Sequence, residues 1–426
     1  MNTKVLLGAA IIAAAVSSFA APEITIKSTP ELPGKNLIGT SDFNKGVLGS
    51  WSVNTPANRK FVSVDKAEGI GDKTSMKITS DAASSPNVYH RLRPAVPFKA
   101  GEPYYIRYYA KRVGSNPKYR SGSSLAFTMN NGKYKYAQVP EHNAGDSDWA
   151  EYDYNGIIPA DSKYGTLYMC YYKQTGHTLY DNVEFRHGWT ELDISVKGKG
   201  LQAIVVRNSV TGTVLKEKIK GEEYNKTVKV PAFGSNSVEV LDRSGETTSK
   251  LYPENIDNNV AAGDKVIPLT PVKRVIVPAK TTESFTVAMP SMAGKKAYLC
   301  FTARLNKKSG IAGYTNALKV KVNGKVLGMN NVVKPGKVIV LKGTPNKKAN
   351  IANGSSNFIV FYSNVSAPIP QHNRYCPTSV ENGNPFDFKL DVTKQLEEGL
   401  NTVDLQSGAF LKETKLYIEN LHIVIE

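Results

Sequence analysis

The chain has 426 residues, 41% hydrophobic and 21% charged, a length that implies two or three domains and a composition that excludes a disordered chain. Its 54 Lys and Arg against 37 Asp and Glu leave a formal net charge of +17, which speaks to partners rather than to fold. With no recognition helix and no zinc-finger spacing, no nucleic-acid partner is expected; an anionic polysaccharide or an acidic surface suits the charge, as does lysine merely spread over solvated strand faces.

In chain order, Lys4, an apolar run over residues 5–16 and the small residues around Ser18-Phe19-Ala20 predict a signal peptide, residues 1–20, cleaved after Ala20. The run is shorter than the roughly 20 residues that span a bilayer, and no later segment is longer and as apolar. The expectation is an exported protein, secreted, periplasmic or on the cell surface, and not membrane-spanning. Residues 22–35 read as an extended leader with little to pack. Residues 36–187 then show short strands separated by Gly, Pro, Asn and Ser, at 60–64, 75–79, 88–92, 104–111, 124–129 and 150–154, closing with 167–173 and 179–185. In the closing pair, alternation puts Tyr168, Cys170 and Tyr172 on one face and Leu167, Met169 and Tyr171 on the other. Both faces are bulky, which suits a strand in a two-sheet sandwich.

Residues 188–259 are a smaller region whose strands, at 192–196, 201–208, 213–219, 227–231 and 237–241, predict a small Ig-like sandwich. Asp257-Asn258-Asn259 and Ala261-Ala262-Gly263-Asp264 read as a linker. Residues 265–426 form a second larger β region. There Val322-Asn323-Gly324-Lys325 predicts a tight hairpin, because Asn-Gly tolerates positive φ at both turn positions. Thr393 is placed to cap a single helical turn and Gly399 to end it. The fold class is therefore all-β.

No nucleophile elbow, zinc-binding helix motif or phosphate-binding loop is present. Gly198-Lys199-Gly200-Leu201-Gln202-Ala203 matches a dinucleotide fingerprint by letter, yet it leads into a β-branched strand where that motif needs a helix. No local sequence marks a glycosidase carboxylate pair. What the chain does supply is flat aromatic rings, 22 of them tyrosine, suited to stacking on sugar rings with polar groups at the rim. The candidates are Tyr89, Arg91, Tyr105, Arg107, Tyr109, Tyr134, Tyr136 and Trp149, with Trp51 read as core; ordinary sandwich packing is the competing role for each. The three cysteines form no CxxC; Cys170 is expected as a buried thiol, and a Cys300–Cys376 bridge stays open. Asn373-Arg374-Tyr375 sits in a long loop.

The closing Tyr180-Asp181-Asn182-Val183, the opening Asn36-Leu37-Ile38-Gly39-Thr40-Ser41-Asp42-Phe43 with Trp51, and the segments 71–78 and 99–104 resemble CenC-type carbohydrate-binding modules of families four and nine. The succession from Phe386 through Val403 is similar to the galactose-binding-like jelly rolls. Together these resemblances imply two jelly-roll β-sandwiches, 36–187 and 265–426, flanking the Ig-like region 188–259. The first implies structural calcium held by Asp42, Asp72 and Asp181, although Asn44 stands where that family carries Glu. The function expected is that of an exported, non-catalytic protein binding polysaccharide or cell-surface glycan. A glycoside hydrolase or lyase, and a structural or adhesion protein, are the rivals.

Overall fold

The computed structural model describes residues 20–29, 34–39, 41–81, 83–94, 98–116, 119, 121–137, 141–142, 146–253, 265–306, 314–334, 336–341, 347–353, 356–362, 377–380, 384–408 and 414–426. The expected signal peptide up to residue 19, the expected linker residues 257–259 and 261–264, the loop 373–375 and Cys376 lie outside the described residues. The described chain is built almost wholly from antiparallel strands, the all-β class expected. Its buried apolar side chains gather into three main cores.

The first strand, β1 (Glu23–Thr29), corrects the reading of residues 22–35 as a leader with little to pack. In Glu23-Ile24-Thr25-Ile26 the apolar residues alternate, so one face buries Ile24 and Ile26 while the other stays polar. That face belongs to the second core, described below. The first core follows, from β2 (Ser52–Val53), β3 (Val62–Asp65), β4 (Ser75–Thr79), β5 (Asn87–Leu92), β6 (Pro103–Val113), β7 (Ser121–Met129), β8 (Tyr134–Ala137), β9 (Glu141–His142), β10 (Ser147–Ile157), β11 (Ser162–Tyr171) and β12 (His177–His187). One sheet runs β2-β5-β11-β7-β8, with β9 also on β7; the facing sheet runs β10-β6-β12-β4-β3. Phe43, Trp51, Met76, Tyr104, Phe127, Tyr180 and Phe185 fill the space between them. β11 and β12 lie in opposite sheets, and the turn between them passes so close to Val113 that a Cβ on Gly176 would sit 2.0 Å from its carbonyl oxygen. Only glycine fits there.

The second core is built by two sheets. β1 pairs with β13 (Trp189–Lys197), which pairs with β16 (Glu223–Pro231); the other sheet runs β15 (Gly212–Lys218), β14 (Leu201–Asn208), β17 (Asn236–Asp242), β18 (Thr247–Tyr252). Ile24 and Ile26 lie beside their register partners Val196 and Ile194 in the first of these sheets, in one core with Ile204, Val206, Val238 and Val240 of the second. Because β1 precedes residue 36 and β13 follows residue 187, the whole first sandwich is inserted between two hydrogen-bonded neighbours of the second.

The third core lies between a sheet centred on Lys415–Ile425 and Ala297–Asn306 and one centred on Gly399–Ser407 and Tyr314–Val322. The Asn-Gly hairpin forms as read: Val322 pairs with Lys325, with φ of 49° at Asn323 and 75° at Gly324. A single turn forms at residues 393–395, the Gln395 and Leu396 N–H groups both donating to the Val392 carbonyl; Gly399, at φ 88°, does not end it but opens the strand Gly399–Ser407. Thr393 is not its side-chain cap: its Oγ1 accepts the Ala297 N–H at 3.0 Å, and the Asp391 carboxylate accepts the Thr393 N–H at 3.0 Å.

The three sandwiches meet through buried polar contacts. Arg274 of the third forms ion pairs with Asp153 on β10 and, at 2.6 Å, with Glu419, which also takes Arg304 at 2.9 Å. Arg207 on β14 is buried against Glu239 at 3.2 Å and against Glu283 of the third sandwich, its guanidinium 4.7 Å from the Phe285 ring centroid.

Candidate functional site

The outward face of the β2-β5-β11-β7-β8 sheet is set by the pleat. On β11, Leu167, Met169 and Tyr171 are fully buried, so Tyr164, Thr166, Tyr168 and Cys170 turn out. Register then places rows across the strands: Ser52, Tyr89, Tyr168 and Ser124; Arg91, Thr166, Ala126 and Tyr136; Tyr164, Thr128 and Tyr134. Small residues on β7 leave the tyrosines of the flanking strands standing above the sheet. Tyr89 and Tyr168 have ring centroids 5.9 Å apart, and Tyr134 and Tyr136 are the most exposed aromatic side chains on the face, at 60% and 66%. Beyond the end of β11, Tyr172 stands 6.3 Å from Tyr119. From Tyr164 to Tyr172 the row spans about 26 Å at the rise of an extended strand.

Burial, and after it the neighbouring Tyr136, Tyr134, Cys170 and Tyr89, push the Tyr168 hydroxyl above its ordinary value, so it stays a neutral donor. Arg91 is exposed at the end of its row. Among the described side chains of this face there is a guanidinium and no carboxylate. Chemically, the face offers flat apolar surface, phenol and hydroxyl groups at the rim, the Arg91 guanidinium and, 5.5 Å from the Tyr172 ring centroid, the Lys173 ammonium.

Four of the sequence candidates, Tyr89, Arg91, Tyr134 and Tyr136, come together here. The other four lie on the opposite sheet. There Tyr105 is buried, stacked on Phe233 at 5.7 Å with an 18° interplanar angle, so docking of the second sandwich closes it to any ligand. Arg107 pairs with Glu184 at 2.6 Å. The Tyr109 hydroxyl donates to Glu151 at 2.6 Å, and burial followed by that carboxylate pushes it up to about 12. Trp149 is half-buried on β10. Trp51 is core, packed edge-on to His90 at 5.3 Å. Tyr164 and Tyr168 are the members that sequence reading passed over; the alternation of β11 was the signal, but two bulky faces read as two buried ones. Cys170, expected to be buried, is half-buried on this outer row.

Asp42, Asp72 and Asp181 lie apart from this face, Asp181 buried on β12, and each is engaged with backbone. Asp181 accepts the N–H groups of Ile70 and Asn182, both at 2.7 Å; Asp72 accepts that of Thr74 at 2.6 Å; Asp42 accepts that of Asn44 at 3.3 Å. Burial, opposed by those two backbone donors and reinforced by the charges of Asp72 and Asp42, raises the Asp181 carboxyl to about 6. The donor set is right in kind for a hard cation, and each carboxylate keeps lone pairs beyond these bonds. It is not drawn together: among the described residues no three acid, His or Cys side chains converge on one point. No described helix is long and apolar enough to cross a membrane.

No family model and no curated protein matches the chain. Among solved structures it is similar to the CBM22-2 xylan-binding domain from Paenibacillus barcinonensis Xyn10C, at 18% identity over 34% of this chain and 96% of that one, with a TM-score of 0.28. The N-terminal CBM22-1-CBM22-2 tandem domain of Xyn10C is similar at 12% identity over 94% of this chain and 100% of that one, TM-score 0.30. TmCBM61 in complex with beta-1,4-galactotriose is similar at 14% identity over 35% of this chain and 97% of that one, TM-score 0.26.

Proposed function

We propose that this chain is an exported, non-catalytic carbohydrate-binding protein that holds a polysaccharide along the outer face of the β2-β5-β11-β7-β8 sheet. The observation that supports this reading is the set of outward tyrosines on one pleated surface, Tyr89 and Tyr168 half-buried and Tyr136 and Tyr134 exposed, with small side chains between them. Sugar rings stack their apolar faces on such rings, and hydroxyls bridge to the phenols and to Ser124. Arg91 on a face without described carboxylates adds a preference for anionic glycan.

The test is affinity electrophoresis of the mature protein through neutral and anionic polysaccharides at low and moderate salt. Retardation that persists at moderate salt and is lost in Tyr168→Ala and Tyr136→Ala, but kept in Tyr109→Phe, is the expected result. Retardation by every polyanion at low salt only, and by nothing at moderate salt, would leave a basic scaffold instead. Release of reducing ends from a bound polysaccharide would replace this reading with the hydrolase.

Structural calcium is a separate proposal, motivated by the repulsion among Asp42, Asp72 and Asp181. Millimolar calcium should raise the melting temperature, EGTA should reverse the rise, and Asp72→Asn should abolish it. A melting temperature indifferent to both additions removes the ion from the account.

A further inference from the structure

The junction of the first two sandwiches contains a cleft of about 370 Å³ whose lining includes Thr29, Lys99, Glu102, Trp189, Glu191 and Lys229. We propose that it is a second glycan subsite, one that takes a neutral sugar stacked on Trp189, and that it acts independently of the tyrosine face.

The argument begins with Trp189, the first residue of β13. It turns outward with Glu191 and Asp193, 38% exposed, while Thr190, Leu192 and Ile194 turn in. The Lys229 ammonium on the neighbouring β16 lies 5.2 Å from its ring centroid, on one face of the indole. Glu191, two residues on, shares the outward face and stands opposite both Lys229 and Thr29 in register. From the other side, the turn preceding β6 presents Lys99 and Glu102. The Glu102 carboxylate is held in place, accepting the Lys99 N–H at 3.1 Å and meeting His187 Nδ1 at 3.2 Å.

The lining thus joins one flat ring to two ammonium donors, two carboxylate acceptors and threonine hydroxyls. Its charges cancel. A free anion or cation would find as much repulsion as attraction, whereas a sugar hydroxyl both donates and accepts and can use groups of either sign. A cavity of this volume lies in the range that holds small ligands, and its aromatic wall supplies the apolar contact that a pyranose face requires. The cleft is also set in a fixed frame, because the chain enters the first sandwich next to Thr29 and leaves it at Trp189.

Trp189 is one of three tryptophans, and Trp51 is buried in the first core, so Trp149→Phe isolates a fluorescence signal from the cleft. The experiment titrates Trp149→Phe with cellohexaose, xylohexaose and mannohexaose, and with trigalacturonate as the anionic control. A saturable blue shift with at least one neutral hexaose, absent with trigalacturonate, retained when Tyr168→Ala is added and lost when Trp189→Phe is added, is expected. Emission unmoved by all three hexaoses, a shift that survives Trp189→Phe, or one abolished by Tyr168→Ala would each overturn the proposal. As a check free of the Trp149 substitution, calorimetry of Tyr168→Ala with the responding hexaose should show one remaining site, weakened at least tenfold in Tyr168→Ala/Glu191→Ala; unchanged affinity there also overturns it. Failure of the tyrosine face alone leaves the Trp189 signal in place, so the two readings fail separately.

Discussion

Tyr168 sits in the middle of the exposed row, in contact distance of Tyr89 and flanked by Tyr136. Replacing it by alanine should weaken polysaccharide binding about tenfold or more, roughly 1.4 kcal/mol, without moving the melting temperature by more than a surface change does. Tyr105 is the opposite case. Its ring is buried on Phe233, so Tyr105→Ala should cost about 3 kcal/mol of stability, read by thermal or denaturant unfolding, and leave binding per folded molecule unchanged. These two tyrosines look alike in the sequence, each on an alternating aromatic strand. What separates them is a neighbour more than a hundred residues away, which no local pattern reveals. Tyr134 and Tyr136 were legible because they alternate with polar residues in a short segment; Trp189 was not, because a lone tryptophan at a strand start carries no periodic signal.

At the scale of single elements, the alternation of period two marked most strands within a few residues of where they lie, and the Asn323-Gly324 turn was readable outright. Gly324→Ala forces a side chain into left-handed backbone and should destabilise by about 1 kcal/mol, measured as a shift in the denaturant midpoint. β1 was missed for a physical reason: seven residues between prolines give too short an alternation to stand out, and their partner, β13, arrives only after the whole first sandwich. Removing residues 20–29 should therefore expose the row formed by Leu192, Ile194 and Val196 and lose the burial of Ile24 and Ile26, about 3–6 kcal/mol together. The expected outcome is a truncated chain that melts lower or aggregates through the bared edge of β13. A true leader would come off without effect.

For the molecule as a whole, the junctions between sandwiches are made by ions as much as by apolar contact. Burial alone would raise Glu419, yet Arg274 and Arg304 overcome it and hold its carboxyl down at about 2. A carboxyl whose folded value lies below its ordinary 4.5 contributes stability that is complete above that value and is lost as pH falls from about 4.5 toward 2. The Arg274 link from Asp153 to Glu419 should accordingly loosen in that window, seen as a falling melting temperature or a separate early transition in calorimetry. Arg274→Ala, which takes the guanidinium from buried Asp153 and leaves Glu419 with Arg304 alone, should cost about 3–5 kcal/mol at neutral pH. The all-β class was readable from composition and strand spacing; how the sandwiches sit against one another was not, since it rests on pairs such as Arg207 with Glu283 that lie 76 residues apart.

The insertion of the first sandwich between β1 and β13 also has a mechanical side. A polysaccharide dragged across the tyrosine face would pull on a body tethered by two strands that leave side by side, not by a single linker. Tension is then divided between two covalent routes that enter the same sheet at the same end, and the body has little freedom to swivel about either. An anchor of this kind keeps the face turned the same way under flow, as two hinges keep a door in its plane.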